Sequence, residues 1–92
     1  MLQVLQLQNK TDWEEIVDIL RPVLSRYSFV NVELNDNKYY QISAIPNLWS
    51  GKVTYWIDII TLDSDGYVID SKTLDNAVCL SDIAQYLSLR NG

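Results

Sequence analysis

The chain begins with Leu2, Val4, Leu5 and Leu7 interleaved with Gln3, Gln6 and Gln8, the pattern of a short strand or of a lead-in to the following helix, of which the strand is expected. Thr11-Asp12-Trp13-Glu14 reads as a capping box, with the threonine oxygen accepting from the Glu14 amide and the glutamate reaching back to that of Thr11. A helix is expected to start there. Behind it Trp13, Ile16, Val17, Leu20, Val23, Leu24 and Tyr27 recur at helical spacing, while Glu14, Asp18, Arg21, Pro22, Ser25 and Arg26 take the other side. The apolar stripe predicts packing on a sheet. Pro22 lacks an amide donor and crowds the preceding turn, so a kink or short break is expected near Arg21.

From Phe29 the period drops to two. Val30, Val32 and Leu34 alternate with Phe29, Asn31 and Glu33, and Asn35-Asp36-Asn37 supplies a tight turn. Tyr40, Ile42 and Ala44 then alternate with Tyr39, Gln41 and Ser43, completing a hairpin. Residues 46–51 form a turn-rich loop carrying Trp49, and residues 53–62, rich in β-branched and aromatic side chains, predict a central strand. Asp63-Ser64-Asp65-Gly66 turns the chain into a last strand from Tyr67 that fades near Leu74. After Asp75 and Asn76, Ser81 is a candidate cap for a closing helix containing Ile83, Ala84, Tyr86, Leu87 and Leu89 and ending at Arg90-Asn91-Gly92.

The expected fold is therefore one α+β domain over residues 1–92: an antiparallel sheet of four to five strands with helices on one face, in the order β-α-β-β-β-β-α. A helix followed by a four-strand meander is similar in topology to the cystatin-like arrangement, and topology of this kind assigns no function.

Composition narrows the chemistry. The 92 residues are 48% hydrophobic and 21% charged, outside the disordered class, and the longest apolar run is too short to cross a bilayer. The absence of histidine and the single cysteine, Cys79, remove Ser-His-Asp and Cys-His catalysis, histidine metal sites and internal disulfides. Twelve acidic against seven basic residues give a net charge of −5, which opposes direct binding to a phosphate backbone. The start Met1-Leu2-Gln3-Val4 has neither the positive region nor the long apolar stretch of a signal peptide, so a cytoplasmic protein is expected.

Each remaining chemical candidate has a simpler explanation. Asp63-Ser64-Asp65-Gly66 resembles part of a calcium loop, but in that register Lys72 would occupy the position of the bidentate glutamate, so a hairpin turn is expected instead. Cys79, between Val78 and Leu80, is expected to be buried packing. Glu14, Glu15 and Asp18 suit the start of a helix through its dipole. Asp58 and Asp70 would form an acid–base pair only if adjacent strands set them face to face. No catalytic residue, cofactor or metal is therefore expected.

The outward face of the sheet is the most informative feature. Alternation sends Asn31, Glu33, Tyr39, Gln41, Ser43, Thr54, Trp56, Asp58 and Ile60 away from the helices, a composition richer in large aromatics than a solvated face requires. These residues suggest a non-enzymatic protein-binding module. An inhibitor or immunity-type protein, such as a phage anti-defence protein, acting on a basic or nucleic-acid-handling target has this size and character. Its expected contacts are Tyr39, Gln41, Trp49, Trp56, Asp58, Asp63, Asp65 and Asp70. The alternative is a small-ligand pocket lined by Tyr39, Tyr55, Trp56 and Tyr67, or a homodimer formed through the same face.

Overall fold

A computed structural model describes residues 4–35, 37–75 and 79–91. Leu2, Asp36, Asn76 and Gly92, assigned from sequence to the first strand, the first hairpin turn, the polar stretch and the chain's last turn, lie outside the described residues. The elements are β1 (Val4–Leu5), α1 (Trp13–Arg26), β2 (Phe29–Asn35), β3 (Lys38–Pro46), β4 (Val53–Leu62), β5 (Val68–Asp75) and α2 (Leu80–Asn91), in the expected order. They form a five-stranded sheet ordered β1-β2-β3-β4-β5.

The sheet is mixed, which corrects the expectation of a purely antiparallel one. β1 runs parallel to β2, with Val4 opposite Asn31 and Leu5 opposite Val32. The reason is the connection: a helix between two neighbouring strands carries the chain back across the sheet, so the second strand runs in the direction of the first. The tight hairpins β2–β3, β3–β4 and β4–β5 leave their strands antiparallel.

One apolar contact surface holds these pieces together. Ile16, Leu20 and Leu24 of α1 and Ile83, Ala84 and Leu87 of α2 are buried with Val30, Val32, Tyr40, Ile42 and Ile57 of the sheet. The helices pack on one another and on the same side of the sheet. Burial fades toward the ends of α1, where Trp13 and Tyr27 stay partly exposed, and Val53, expected on the covered face, lies beyond the helix and is exposed too. Asn91 at the end of α2 donates through Nδ2 to the carbonyls of Leu7 and Lys10, tying the segment after β1 to the last helix.

Several local expectations shift. α1 is capped by Asp12, whose Oδ1 accepts from the Glu14 amide at 3.0 Å, and not by Thr11. Asp is as good a cap as Thr and lies one residue nearer the first apolar position, so it takes the role. The helix runs unbroken through Pro22, which sits on the exposed side where its missing donor leaves no buried carbonyl to satisfy. α2 starts at Leu80, one residue before the expected cap Ser81. Cys79 just ahead of it is exposed, not packed in the core.

The cap assignment is testable by urea unfolding. Asp12→Ala should cost about 1 kcal/mol, whereas Thr11→Ala should stay within about 0.5 kcal/mol of the parent.

Candidate functional site

The register fixes which side chains share the face opposite the helices. Phe29, Ser43 and Trp56 form one row across the strands. Asn31, Gln41, Asp58 and Thr73 form a second, which Val4 extends at the β1 edge. Glu33, Tyr39, Ile60 and Ser71 form a third. None of the described helices lies on this side. Two positions on the face are closed to solvent: Asn31 is 2% exposed and Ile60 5%. Gln41 Nε2 donates to Asn31 Oδ1 across the β2–β3 pair at 3.4 Å, so the buried amide retains a partner.

At one end of this face the β3–β4 loop is built around Asn47. Its Oδ1 accepts from the amides of Trp49 and Ser50, and its own amide and carbonyl bond to Lys52 and Gly51. Gly51 supplies the left-handed backbone (φ 71°) that closes the turn. This well-bonded turn holds Leu48 and Trp49 out in solvent, 94% and 98% exposed. An open groove of about 460 Å³ runs from the loop onto the sheet, where Ile45, Thr54 and Trp56 join Trp49 in lining it. Loop and strand thus bring two of the expected contacts, Trp49 and Trp56, into one site.

Tyr39, Gln41, Trp56 and Asp58 all lie on the outer face. The remaining acids do not join the groove. Asp63 and Asp65 sit in the β4–β5 turn at the far end of β4, about 20–30 Å from the loop at strand spacing. The Asp63 carboxylate is engaged there, accepting from the amides of Asp65 and Tyr67 at 2.9 Å each, while Gly66 takes the left-handed conformation (φ 87°). The motif is hairpin chemistry. Asp70 pairs with Thr61 and Asp58 with Thr73, so the two aspartates lie on opposite faces and form no acid–base pair.

Tyr55 faces the helices while Trp56 faces away, so the aromatic set proposed for a ligand pocket lines no single cavity. The sequence reading omitted Phe29, Ile45 and Leu48, exposed apolar residues at the aromatic end. Phe29 and Ile45 were available from the same alternation that placed Trp56, and Leu48 from its position beside Trp49 in a turn.

By register, the charged residues on the outer face are Glu33 and Asp58, with no Lys or Arg among the described strand positions that share it. Lys38 and Lys72 pair with Thr61 and Ile59 and so alternate to the helix side. Among the described residues no helix is long and apolar enough to cross a membrane. No protein family, curated protein or solved structure matches the chain, so the likeness to the cystatin-like arrangement rests on element order alone.

A side chain as exposed as Trp49 contributes little to folding. Trp49→Ala should leave unfolding free energy within about 0.5 kcal/mol of the parent, whereas Ile57→Ala in the core should cost about 2–5 kcal/mol. A Trp49→Ala loss above about 2 kcal/mol in urea titration would show that the loop packs against the body of the protein.

Proposed function

We propose that this chain is a non-enzymatic protein-binding module that docks its outer sheet face and its Leu48–Trp49 loop on a partner with a basic surface. The observation that carries the reading is the loop: two large apolar side chains are held almost wholly in water by a rigid, hydrogen-bonded turn. Burying a tryptophan removes about 150–250 Å² from water, worth about 4–6 kcal/mol at 25 cal/mol per Å² before any ordering cost. Folding leaves that gain unused, and association with a partner would realise it. Aromatic anchors at the centre of a patch, rimmed by polar groups, are the residues on which protein interfaces concentrate their binding energy.

The area is adequate. β2 to β5 and the length of β4 define about 20 by 30 Å at ordinary strand dimensions, comparable to the roughly 800 Å² that a standard interface buries on each partner. Charge supports a basic partner, since Glu33 and Asp58 stand on the face without a cation and the whole chain carries −5. Asp63, Asp65 and Asp70, at the far end of the sheet, would steer the encounter rather than anchor it. The sharpest form of the proposal is a cytoplasmic inhibitor or immunity-type protein, of the kind phages use against host defences. It would occupy the basic surface of a nucleic-acid-handling protein without touching nucleic acid itself.

The test is affinity capture from lysate of the source organism, or of its host if the gene is viral, with three tagged forms: the parent, Trp49→Ala and the double variant Tyr39→Ala/Trp56→Ala. The parent should retain a basic protein in a salt-sensitive manner, and each folded variant should weaken retention by about 2 kcal/mol or more. Retention indifferent to both variants and to salt would refute the proposal, as would a folded parent that captures nothing. If the captured protein is a second copy of this chain, the face is a dimer interface and the basic-partner form is wrong.

A further inference from the structure

A second cleft lies at the β1 edge of the molecule, under the end of α2. It encloses about 370 Å³, a volume at the small end of ligand sites. Its apolar lining comes from Leu7, Val32, Leu34 and Leu87. Tyr40 and Arg90 line it too, and they give it chemical character.

Tyr40 is 3% exposed, and its hydroxyl is the one buried side-chain polar atom among the described residues that has no hydrogen-bond partner. Its ring is held edge-on to Tyr86, with centroids 6.1 Å apart. The Arg90 guanidinium stands beside it, 5.6 Å over the Tyr86 ring, with no carboxylate of the described residues within ion-pair distance. The Tyr40 hydroxyl has the Arg90 guanidinium and the Tyr86 hydroxyl as neighbours, neither in a well-formed hydrogen bond with it. The hydroxyl oxygen can accept from Arg90, but a guanidinium only donates, so it offers nothing to the hydroxyl's own hydrogen. Buried hydroxyls are almost always bonded, and a donor pair at the edge of an apolar cleft calls for an acceptor placed between them.

We propose that this cleft binds a small apolar monocarboxylate, its two oxygens accepting from the Tyr40 hydroxyl and the Arg90 guanidinium and its hydrocarbon part resting on Leu7, Val32 and Leu87. A carboxylate fits the planar guanidinium in a bidentate manner, and charge-assisted hydrogen bonds of this kind are the strong ones. A single charge is preferred over a dianion because Glu33 also lines the cleft and the chain as a whole is negative. Burial, partly offset by Arg90, pushes the Tyr40 hydroxyl above its ordinary value of 10.0, so it remains a donor at neutral pH. The cleft lies at the β1 edge on the helix side of the sheet, and of the docking-face residues it shares Glu33.

The test is a titration of the full chain with sodium hexanoate, followed by amide NMR, with hexanol, hexylamine and inorganic phosphate as comparison probes. Hexanoate should give saturable shifts confined to the amides around Leu7, Val32, Tyr40, Leu87 and Arg90. Arg90→Gln should weaken this response by about tenfold or more, and hexanol, hexylamine and phosphate should bind at least about tenfold less well. Tyr40→Phe keeps the ring packing and deletes only the hydroxyl. It should remain folded, with a melting temperature at or above the parent's, and bind hexanoate severalfold less tightly. Absence of saturable shifts would overturn the proposal and leave the hydroxyl to water. An equal response to hexanol or to phosphate would also overturn it, as would hexanoate binding unchanged in both variants.

Discussion

Ile16, Leu20 and Ile83 from the helices and Val30, Ile42 and Ile57 from the sheet share one apolar contact, and every other part of the fold is placed by it. A chain of 92 residues supplies one core of this kind, because small domains bury a limited fraction of their surface. Both helices are committed to the same side of the sheet. No described helix lies on the opposite side, and that asymmetry leaves a surface for something other than folding.

How that open side is built follows from strand register. Asn31 and Ile60 are closed to solvent, while Phe29, Trp56 and the loop residues Leu48 and Trp49 remain exposed. Asn47 and Gly51 make the loop rigid, so Leu48 and Trp49 are presented in a fixed place and little ordering entropy remains to be lost on contact. The acidic turn around Asp63 is rigid as well, but its carboxylate already serves the turn. The two ends of the face therefore differ in kind: the aromatic end offers desolvation energy, and the acidic end offers a field.

Much of this was legible in the sequence, and the exceptions have physical reasons. The inward set Val30, Val32, Tyr40, Ile42 and Ile57 is an uninterrupted period of two, and the stripe Ile16, Leu20 and Leu24 is helical, so layers and faces followed directly. The parallel direction of β1 follows from its helical connection once it lies beside β2, and a strand of two paired residues carries no sequence sign of that neighbour. Whether Asp70 faces Asp58 depends on register, which the sequence does not carry. The irregularity between Thr61 and Leu62 adds a residue to β5, and a one-residue shift sends each following side chain to the opposite face. That Trp49 and Trp56 line one groove depends on the conformation of the loop, which no spacing encodes. Cys79 failed as a core residue because apolar sequence neighbours do not bury a position that lies outside the helix they lead into.

The three tryptophans provide the most direct measurement, since Trp49 and Trp56 line the groove and Trp13 begins α1 on the other side of the sheet. Fluorine NMR of the protein labelled with 5-fluorotryptophan, recorded alone and then in native lysate, reports each position separately. The account predicts that the Trp49 and Trp56 resonances shift or broaden while Trp13 keeps its free position. A response at Trp13 alone, or three unchanged resonances, would contradict the claim that the open face is the working surface of this protein.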